Sequence, residues 1–328
     1  MALSASGTET TLGFPMNSRN SPWRTLSGIV LLASLCPLAW GEGCIGVVPS
    51  GGTAFWRQVE IGARQAAVDL GVPIYYRGPT REGDVTAQLQ VIELILARGC
   101  KALVIAPSGV EVGRRVDELA ALGIPTVYID RDLAGSAALG LVSTDNFAAG
   151  LQAGEHMVEL LGGGGRVAVL RLRRGLHSTS ERERGFIQGA QAGGLQVTID
   201  AYVGDDSQLA MLTLSNRLDQ FDGLFTPNST SSRAALAAMR RLQKAGQRVH
   251  VGFDGDEVLL EALRLGDINA LFLQQPRLIG YQSVVQARQA ATDGLADTPV
   301  YTALKARLVT RANMSELYEE LQDLPPAP

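Results

Sequence analysis

The length, composition and charge of the chain are typical of a protein with two domains and exclude one class of partner. The sequence has 328 residues, of which 46% are hydrophobic and 5% aromatic, enough for two cores of ordinary domain size. Its formal net charge is −4, and no run of like charges stands out, so a nucleic-acid partner is not expected.

The start of the chain reads as a secretory signal peptide. Arg19 and Arg24 precede an apolar stretch, LSGIVLLASLCPLAW, and Ala39 and Gly41 are small residues at the positions that a signal peptidase reads. We therefore predict cleavage after Gly41 and a mature chain that begins at Glu42. A membrane anchor is the alternative, although the stretch is shorter than the roughly 20 residues that span a bilayer. A lipoprotein is a further alternative.

Cleavage would leave two cysteines, Cys44 and Cys100, in a compartment where disulfides persist. Cys44 opens the apolar run CIGVV and Cys100 precedes KALVIAP, so each lies at the start of a predicted strand. If the sheet has the doubly wound order 2-1-3-4-5, these strands are parallel neighbours and their starts lie side by side. The sequence therefore predicts a disulfide between Cys44 and Cys100. Two buried thiols are the alternative.

Short apolar runs then alternate with stretches of helical periodicity. The helical stretches include AFWRQVEIGARQAAVDL and DVTAQLQVIELILARG, which end at Gly71 and Gly99. Unbroken apolar strands that alternate with helices are typical of parallel sheets. The sequence predicts an α/β fold with two doubly wound parallel-sheet lobes, joined by a hinge that includes Ser143 to Asn146. The predicted strands are CIGVV, VPIYY, KALVIAP, IPTVYID, ALGLVS, RVAVLR, QVTIDAYV, GLFTPN, HVGFDG, ALFLQQ and a last strand, YTALKARLVT.

The sequence contains no recognisable catalytic, metal-binding or cofactor-binding motif. The three histidines, His156, His177 and His250, lack metal-ligand spacing and have no nucleophile beside them. We therefore expect no enzyme activity, no metal and no cofactor. A glycosidase-like pair of Asp130 and Asp254 is the enzymatic alternative. It requires a particular separation of the two carboxylates, which a sequence does not give.

Polar and aromatic side chains collect at the carboxyl ends of the predicted strands, where parallel sheets of this type bind ligands. Carboxylates accept hydrogen bonds, guanidinium groups donate them in fixed directions, and amides do both, a combination that suits a neutral polyol. Aromatic faces suit the C–H faces of a sugar ring. The side chains at these positions are Ser50, Thr53, Phe55, Trp56, Asp130, Arg131, Asn228, Asp254 and Gln274, with Arg182 early in the helix after RVAVLR.

The chain resembles a ribose-type periplasmic sugar-binding protein, the extracytoplasmic receptor of an ABC transporter. The resemblance implies a type I periplasmic binding protein fold whose lobes close by a hinge on a pentose or hexose. It also implies a periplasmic monomer that delivers the sugar to a membrane permease. A sensor that presents a ligand to a membrane histidine kinase or chemoreceptor is the alternative. The resemblance covers about Cys44 to Thr310, through VVPSGGTAFW, IPTVYIDRDL, STDNFAAG, SERERGF, FTPN, VGFDG and FLQQP.

The resemblance also assigns ligand contacts, residue by residue. Thr53 stands where ribose receptors place an asparagine, and Tyr202 is the one candidate for a stacking aromatic from the second lobe, so ribose itself is not expected. Gln274 is preferred to Gln275 on the match to FLQQP. The predicted ligand-binding residues are Thr53, Phe55, Trp56, Asp130, Arg131, Arg182, Asn228, Asp254 and Gln274.

Some of these assignments have structural alternatives. Asp130 and Arg131 could form an exposed ion pair, Arg182 could lie on a solvated helix face, and Asn228 and Asp254 could cap helices.

The resemblance also gives domain boundaries. The predicted domains are a signal peptide over 1–41, a first lobe over 42–144 and 276–303, a second lobe over 145–275 and 304–312, and a tail over 313–328. The tail is predicted to be a short capped helix with a proline-rich end.

Overall fold

A computed structural model describes residues 43–293 and 299–315 of the protein. The predicted signal peptide and most of the predicted tail lie outside the described residues. The described strands are β1 (Ile45–Val48), β2 (Ile74–Tyr76), β3 (Ala102–Ile105), β4 (Thr126–Ile129), β5 (Gly140–Thr144), β6 (Gly165–Arg171), β7 (Leu195–Tyr202), β8 (Gly223–Phe225), β9 (Val249–Phe253), β10 (Ala270–Leu273), β11 (Val300–Leu304) and β12 (Arg307–Thr310). The described helices are α1 (Ala54–Leu70), α2 (Val85–Ala97), α3 (Val110–Ala121), α4 (Asn146–Leu161), α5 (His177–Ala192), α6 (Ser207–Ser215), α7 (Ser229–Arg241), α8 (Glu257–Leu265) and α9 (Pro276–Asp293).

The strands form two six-stranded sheets, each the centre of one lobe. The first has the order β11-β5-β4-β3-β1-β2, and the second has the order β12-β10-β9-β8-β6-β7. Neighbouring strands are parallel except for β10 and β12, which are antiparallel. The predicted α/β fold with two doubly wound lobes is confirmed, including the order 2-1-3-4-5 in the first sheet.

The chain passes between the two sheets at three places. It crosses after β5, after β10, and between β11 and β12. The run YTALKARLVT is therefore two strands in different sheets, and the prediction of one strand was wrong. An apolar alternation does not reveal a change of sheet, because only the short break at Lys305 and Ala306 separates a strand that pairs with β5 from one that pairs with β10.

Helix α1 illustrates how local sequence and packing produce these elements. Its buried side chains include Trp56, Val59, Ala63 and Ala66, which recur at three- and four-residue intervals and so form one face. That face packs in the core of the first lobe. The helix ends at Gly71, whose φ of 62° is left-handed and favours a residue without a Cβ atom. The predicted helix AFWRQVEIGARQAAVDL has these same ends.

Glycines bring α4 and α5 into close contact in the second lobe. A Cβ atom at Gly185 would collide with the backbone carbonyl oxygen of Phe147, and one at Gly150 would collide with that of Arg182. The position of α5, and with it the backbone of Arg182, therefore depends on two residues without side chains.

We expect Gly185→Ala to lower the free energy of unfolding by about 1–3 kcal/mol, the usual cost of overpacking a tight contact. The matched control is Gly164→Ala, where a Cβ atom would meet no described atom within 4 Å. Urea unfolding followed by circular dichroism measures both variants. Equal stability of the two variants would show that the helices do not depend on this close approach.

Cys44 and Cys100 lie just before β1 and β3, which are parallel neighbours. The structure joins them in a disulfide with Cα atoms 4.2 Å apart, at the amino ends of the strands. None of the helices in the described ranges is long and apolar enough to cross a bilayer.

Candidate functional site

A cavity between the two lobes contains all nine predicted ligand-binding residues. It has about 410 Å³ of empty space, counting its opening to solvent, and it lies at the carboxyl ends of strands in both sheets. The predicted residues that line it are Thr53, Phe55, Trp56, Asp130, Arg131, Arg182, Asn228, Asp254 and Gln274. Glu82, Leu172, Leu176, Ser178, Thr179, Ser229 and Thr230 also line it, and the sequence did not indicate them.

Two aromatic rings form one wall of the cavity. Phe55 and Trp56 meet edge to face, with ring centroids 4.9 Å apart and an interplanar angle of 85°. Trp56 is 2% exposed and belongs to the core of the first lobe, whereas Phe55 is half-buried. The Tyr76 hydroxyl donates to the Trp56 carbonyl oxygen at 2.7 Å and so ties the first turn of α1 to β2. Phe55 is therefore the ring with more surface free for a ligand.

Asp130 and Arg131 follow β4 and are buried, so the alternative of an exposed ion pair is wrong. Asp130 has a left-handed backbone with φ of 64°. Arg131 Nε donates to Asp130 Oδ2, and Arg131 Nη2 donates to Glu82 Oε1, both at 2.9 Å. Arg131 Nη1 is buried and has no hydrogen-bond partner within the described chain. Burial lowers the pKa of Arg131, but the charges of Asp130 and Glu82 outweigh it and the pKa is raised.

Arg182, in α5, supplies a similar group from the second lobe. Its Nε donates to Asn146 Oδ1 at 2.8 Å, and its Nη1 donates to the carbonyl oxygen of Pro227 at 2.9 Å. Its Nη2 is buried and has no partner in the part of the chain that the structure describes. Arg182 is 2% exposed, so the alternative of a solvated helix face is wrong. Burial lowers its pKa, and its guanidinium carbon lies 4.8 Å from the ring centroid of Phe253.

Asp254 and Gln274 form a polar network at the ends of β9 and β10. Asp254 Oδ1 accepts from Gln274 Nε2 at 2.7 Å, and Asp254 Oδ2 accepts from the backbone N–H of Ser229 at 2.8 Å. Gln274 Oε1 accepts from the Thr144 hydroxyl at 2.7 Å, which joins β10 to the end of β5. Burial raises the pKa of Asp254. Gln275 instead donates to a backbone carbonyl away from the cavity, so the adjacent glutamines point apart.

Helix capping and the lining of the cavity coincide at the start of α7. Asn228 is the N-cap residue, and its Oδ1 accepts from the Ser231 backbone N–H at 3.1 Å. Asp254 Oδ2 also accepts from the first turn of α7, from the backbone N–H of Ser229. It does not cap α8, where Asp256 is the N-cap residue. The capping alternative is therefore correct for Asn228 and is compatible with its place in the cavity wall.

The imidazole of His250 is connected to α7 through Thr226 and does not line the cavity. It is 2% exposed, its Nε2 lies 3.0 Å from Thr226 Oγ1, and that hydroxyl lies 2.8 Å from Ser232 Oγ in α7. Burial lowers the pKa of His250 from 6.5 to about 3, so the ring stays neutral in the folded protein.

We expect His250 to make the protein less stable in mild acid. His250 binds a proton near pH 6.5 in the unfolded chain and near pH 3 in the folded chain. The free energy of unfolding is therefore unaffected by this group above about pH 6.5, and it decreases as the pH falls from 6.5 towards 3. Between pH 7.5 and 5 the wild type should lose about 2 kcal/mol of unfolding free energy that His250→Gln retains. Urea titrations at the two pH values measure it, and equal losses would contradict the prediction.

In the second lobe, leucines and not Tyr202 form the apolar part of the cavity lining. Tyr202 does not line the cavity, and its ring instead receives the guanidinium groups of Arg171 and Arg174 at 5.7 and 4.7 Å. Leu172 and Leu176, in the loop between β6 and α5, line the cavity. Sequence could not indicate them, because leucine in a loop reveals nothing about the direction in which the loop folds.

The cavity offers hydrogen-bonding groups and apolar surface and is suited to binding a polar ligand. Across the described ranges, no cluster of three or more histidine, cysteine or acidic residues could hold a metal ion. Two parallel-sheet lobes, three connecting crossings and a polar cavity between them define a two-lobed ligand-binding protein. Residues 45–295 match the family model described as a periplasmic binding protein domain, and the chain belongs to this family.

Several characterised and solved proteins are similar to this chain. The ribose import binding protein of Haemophilus influenzae is 29% identical over 235 residues, which cover 71% of this chain and 80% of that protein. The periplasmic component of an ABC-type sugar transport system from Hahella chejuensis is 34% identical, with a TM-score of 0.74 and coverage of 81% of this chain and 99% of that one. A carbohydrate transporter solute binding protein from Agrobacterium radiobacter, solved with D-arabinose, is 27% identical, with a TM-score of 0.77 and coverage of 86% and 99%.

Proposed function

We propose that the protein is exported to the periplasm, captures a monosaccharide of pentose or hexose type by closure of its lobes, and delivers it to the permease of an ABC transporter. It acts as a monomer and catalyses no reaction. The names of the three relatives support this proposal, since they refer to import, to an ABC-type sugar transport system and to a carbohydrate transporter. None of those three names refers to a sensor.

One observation carries the proposal: each lobe contributes to the cavity lining one arginine with a buried guanidinium nitrogen that lacks a hydrogen-bond partner within the described residues. These atoms are Nη1 of Arg131 and Nη2 of Arg182. A buried donor without a partner costs free energy, and a ligand oxygen would satisfy it. A sugar that accepts from both atoms would hold the two lobes together and so favour the closed form.

The remaining lining suits the rest of a sugar ring. Asp130 can accept hydrogen bonds, Asn228 can both donate and accept, and Thr53 adds a hydroxyl group. Phe55 and Trp56 offer ring surface to C–H groups on one side, and leucines offer aliphatic surface from the other lobe.

The proposal also includes the lobe boundaries and the hinge. Helix α9 packs on α1 and against β3, β4 and β5, which supports a first lobe over 42–144 and 276–303. The crossings after β5 and β10 and between β11 and β12 are the three places where the backbone would bend.

A thermal-shift screen of monosaccharides tests the proposal. Protein that begins at Glu42 is heated alone and with pentoses, hexoses, and amino and deoxy sugars. A ligand that binds only the folded state raises the melting temperature, so at least one sugar should do so. No shift with any of these sugars would refute carbohydrate binding.

A further inference from the structure

Glu82 occupies a position in the cavity that connects several other groups. It lies in the loop between β2 and α2, its side chain is 32% exposed, and it lines the cavity. Its Oε1 accepts from Arg131 Nη2 at 2.9 Å, and its Oε2 accepts a long hydrogen bond of 3.5 Å from the Trp56 indole N–H. One carboxylate therefore contacts both a guanidinium group and a ring of the first lobe.

Glu82 helps to hold the Arg131 guanidinium in one orientation, because it accepts a hydrogen bond from it. Asp130 accepts from its Nε, and Glu82 accepts from its Nη2, so carboxylates occupy two sides of the planar group. The third nitrogen, Nη1, is the one without a partner in the described chain. Asp130 Oδ2 also lies 2.9 Å from Nη2, so loss of Glu82 would leave Arg131 held by Asp130 alone, and the direction of Nη1 would be less fixed.

Glu82 also sets the charge balance around the cavity. The lining holds three carboxylates, on Glu82, Asp130 and Asp254, and two guanidinium groups, on Arg131 and Arg182. The guanidinium of Arg173, in the second lobe, is outside this lining, and its Nη2 would be 2.8 Å from a Cβ atom at Gly83, the residue after Glu82.

Within the lining, carboxylates therefore outnumber guanidinium groups by one. Without Glu82 the two numbers would be equal, so the repulsion between the lining and an anionic ligand would be weaker.

We propose that Glu82 is a specificity-determining residue, which positions Arg131 and Trp56 and makes the cavity select neutral sugars over sugars that carry a carboxylate. The proposal rests on the proposed function. Selection of this kind comes from like-charge repulsion, which rejects an acidic relative of similar shape.

The test measures affinities for neutral and acidic sugars in matched pairs. Isothermal titration calorimetry is performed with D-glucose and D-glucuronate and with D-galactose and D-galacturonate, pairs that share the pyranose ring, and with the neutral sugar that gives the largest thermal shift. Wild type should bind the neutral member of a pair more tightly. Glu82→Gln keeps the shape, so it should raise the affinity ratio of acid to neutral sugar about tenfold, and salt should reduce the change.

Two further variants separate charge from position. Glu82→Asp keeps the charge and shortens the reach, so both affinities should fall and their ratio should stay the same. Glu60→Gln removes an α1 carboxylate of similar exposure, 31%, that pairs with Arg64. It lies outside the cavity lining, so it should change neither affinity nor ratio.

The outcomes distinguish this inference from the proposed function. If wild type binds neutral sugars and Glu82→Gln leaves the acid-to-neutral ratio unchanged, the role of Glu82 is refuted and sugar binding stands. Tighter binding of an acid than of its neutral partner by wild type refutes it equally. If no neutral sugar binds, the proposed function fails, and this inference fails with it.

Discussion

Replacement of Arg182 by methionine is expected to weaken sugar binding by about 30-fold or more. Loss of a buried, charged donor to a ligand costs about 2–5 kcal/mol, because the ligand oxygen that it served is left unpaired. Methionine keeps much of the length and apolar surface of the arginine side chain. It cannot donate from the position of Nη2, the atom that lacks a partner in the described chain.

The same change should also lower the stability of the folded protein. It leaves Asn146 Oδ1 without its donor, Arg182 Nε, and the Pro227 carbonyl oxygen without its donor, Arg182 Nη1, at a cost of about 1–3 kcal/mol. Calorimetric titration is therefore performed at a temperature where circular dichroism shows the variant to be folded. The control, Arg184→Met, is on the same helix, is 59% exposed and pairs with Glu181. Full affinity in folded Arg182→Met would disprove the assigned site.

Removal of the disulfide is expected to have a large effect on stability and little effect on binding. Cys44 and Cys100 are separated by 56 positions, and a link that closes a loop of this length stabilises a fold by about 2–4 kcal/mol. The bond lies at the amino ends of β1 and β3, whereas the cavity lies at the carboxyl ends. The double variant Cys44→Ser/Cys100→Ser should therefore unfold at lower urea concentration and bind sugar with unchanged affinity.

The bond itself is tested by mass spectrometry. Protein that begins at Glu42 contains Cys44 and Cys100 and lacks Cys36. Alkylation of the unfolded protein without reductant should leave the mass unchanged, and alkylation after reduction should add two groups. Two alkylated thiols without reductant would show that the cysteines are free.

The fold and much of the cavity could be predicted because they depend on local patterns. Strands that are buried on both faces are continuous apolar runs, and the residue that follows such a run lies at the carboxyl end of a sheet. Asp130 and Asp254 were found in this way, directly after β4 and β9. Both have left-handed backbones, which place their carboxylates at the ends of the strands.

The parts that could not be predicted depend on contacts between distant segments. Glu82 is in a loop, and its importance comes from Arg131, which is 49 positions away. Asn146 was predicted only as part of the hinge, and the sequence contained nothing to indicate that its amide oxygen accepts from Arg182. The predicted lobe boundary between 303 and 304 falls within YTALKARLVT, but its break into two strands was missed, because strand partners are chosen by tertiary packing and not by local alternation.

The wall around Trp56 also provides a direct signal for binding. The other two tryptophans, Trp23 and Trp40, precede Glu42, so the mature chain would contain Trp56 alone. Its indole N–H contacts Glu82, and the Arg131 guanidinium carbon lies 5.9 Å from its ring centroid. Its fluorescence therefore reports on the cavity itself and can be used to follow each titration described above.

A crystal structure of the protein with the sugar that gives the largest thermal shift tests the central claim most directly. We predict closed lobes, with the sugar in the cavity and its oxygen atoms within hydrogen-bonding distance of both Arg131 Nη1 and Arg182 Nη2. A sugar bound at another place on the protein, or one that contacts neither of these atoms, would contradict the claim.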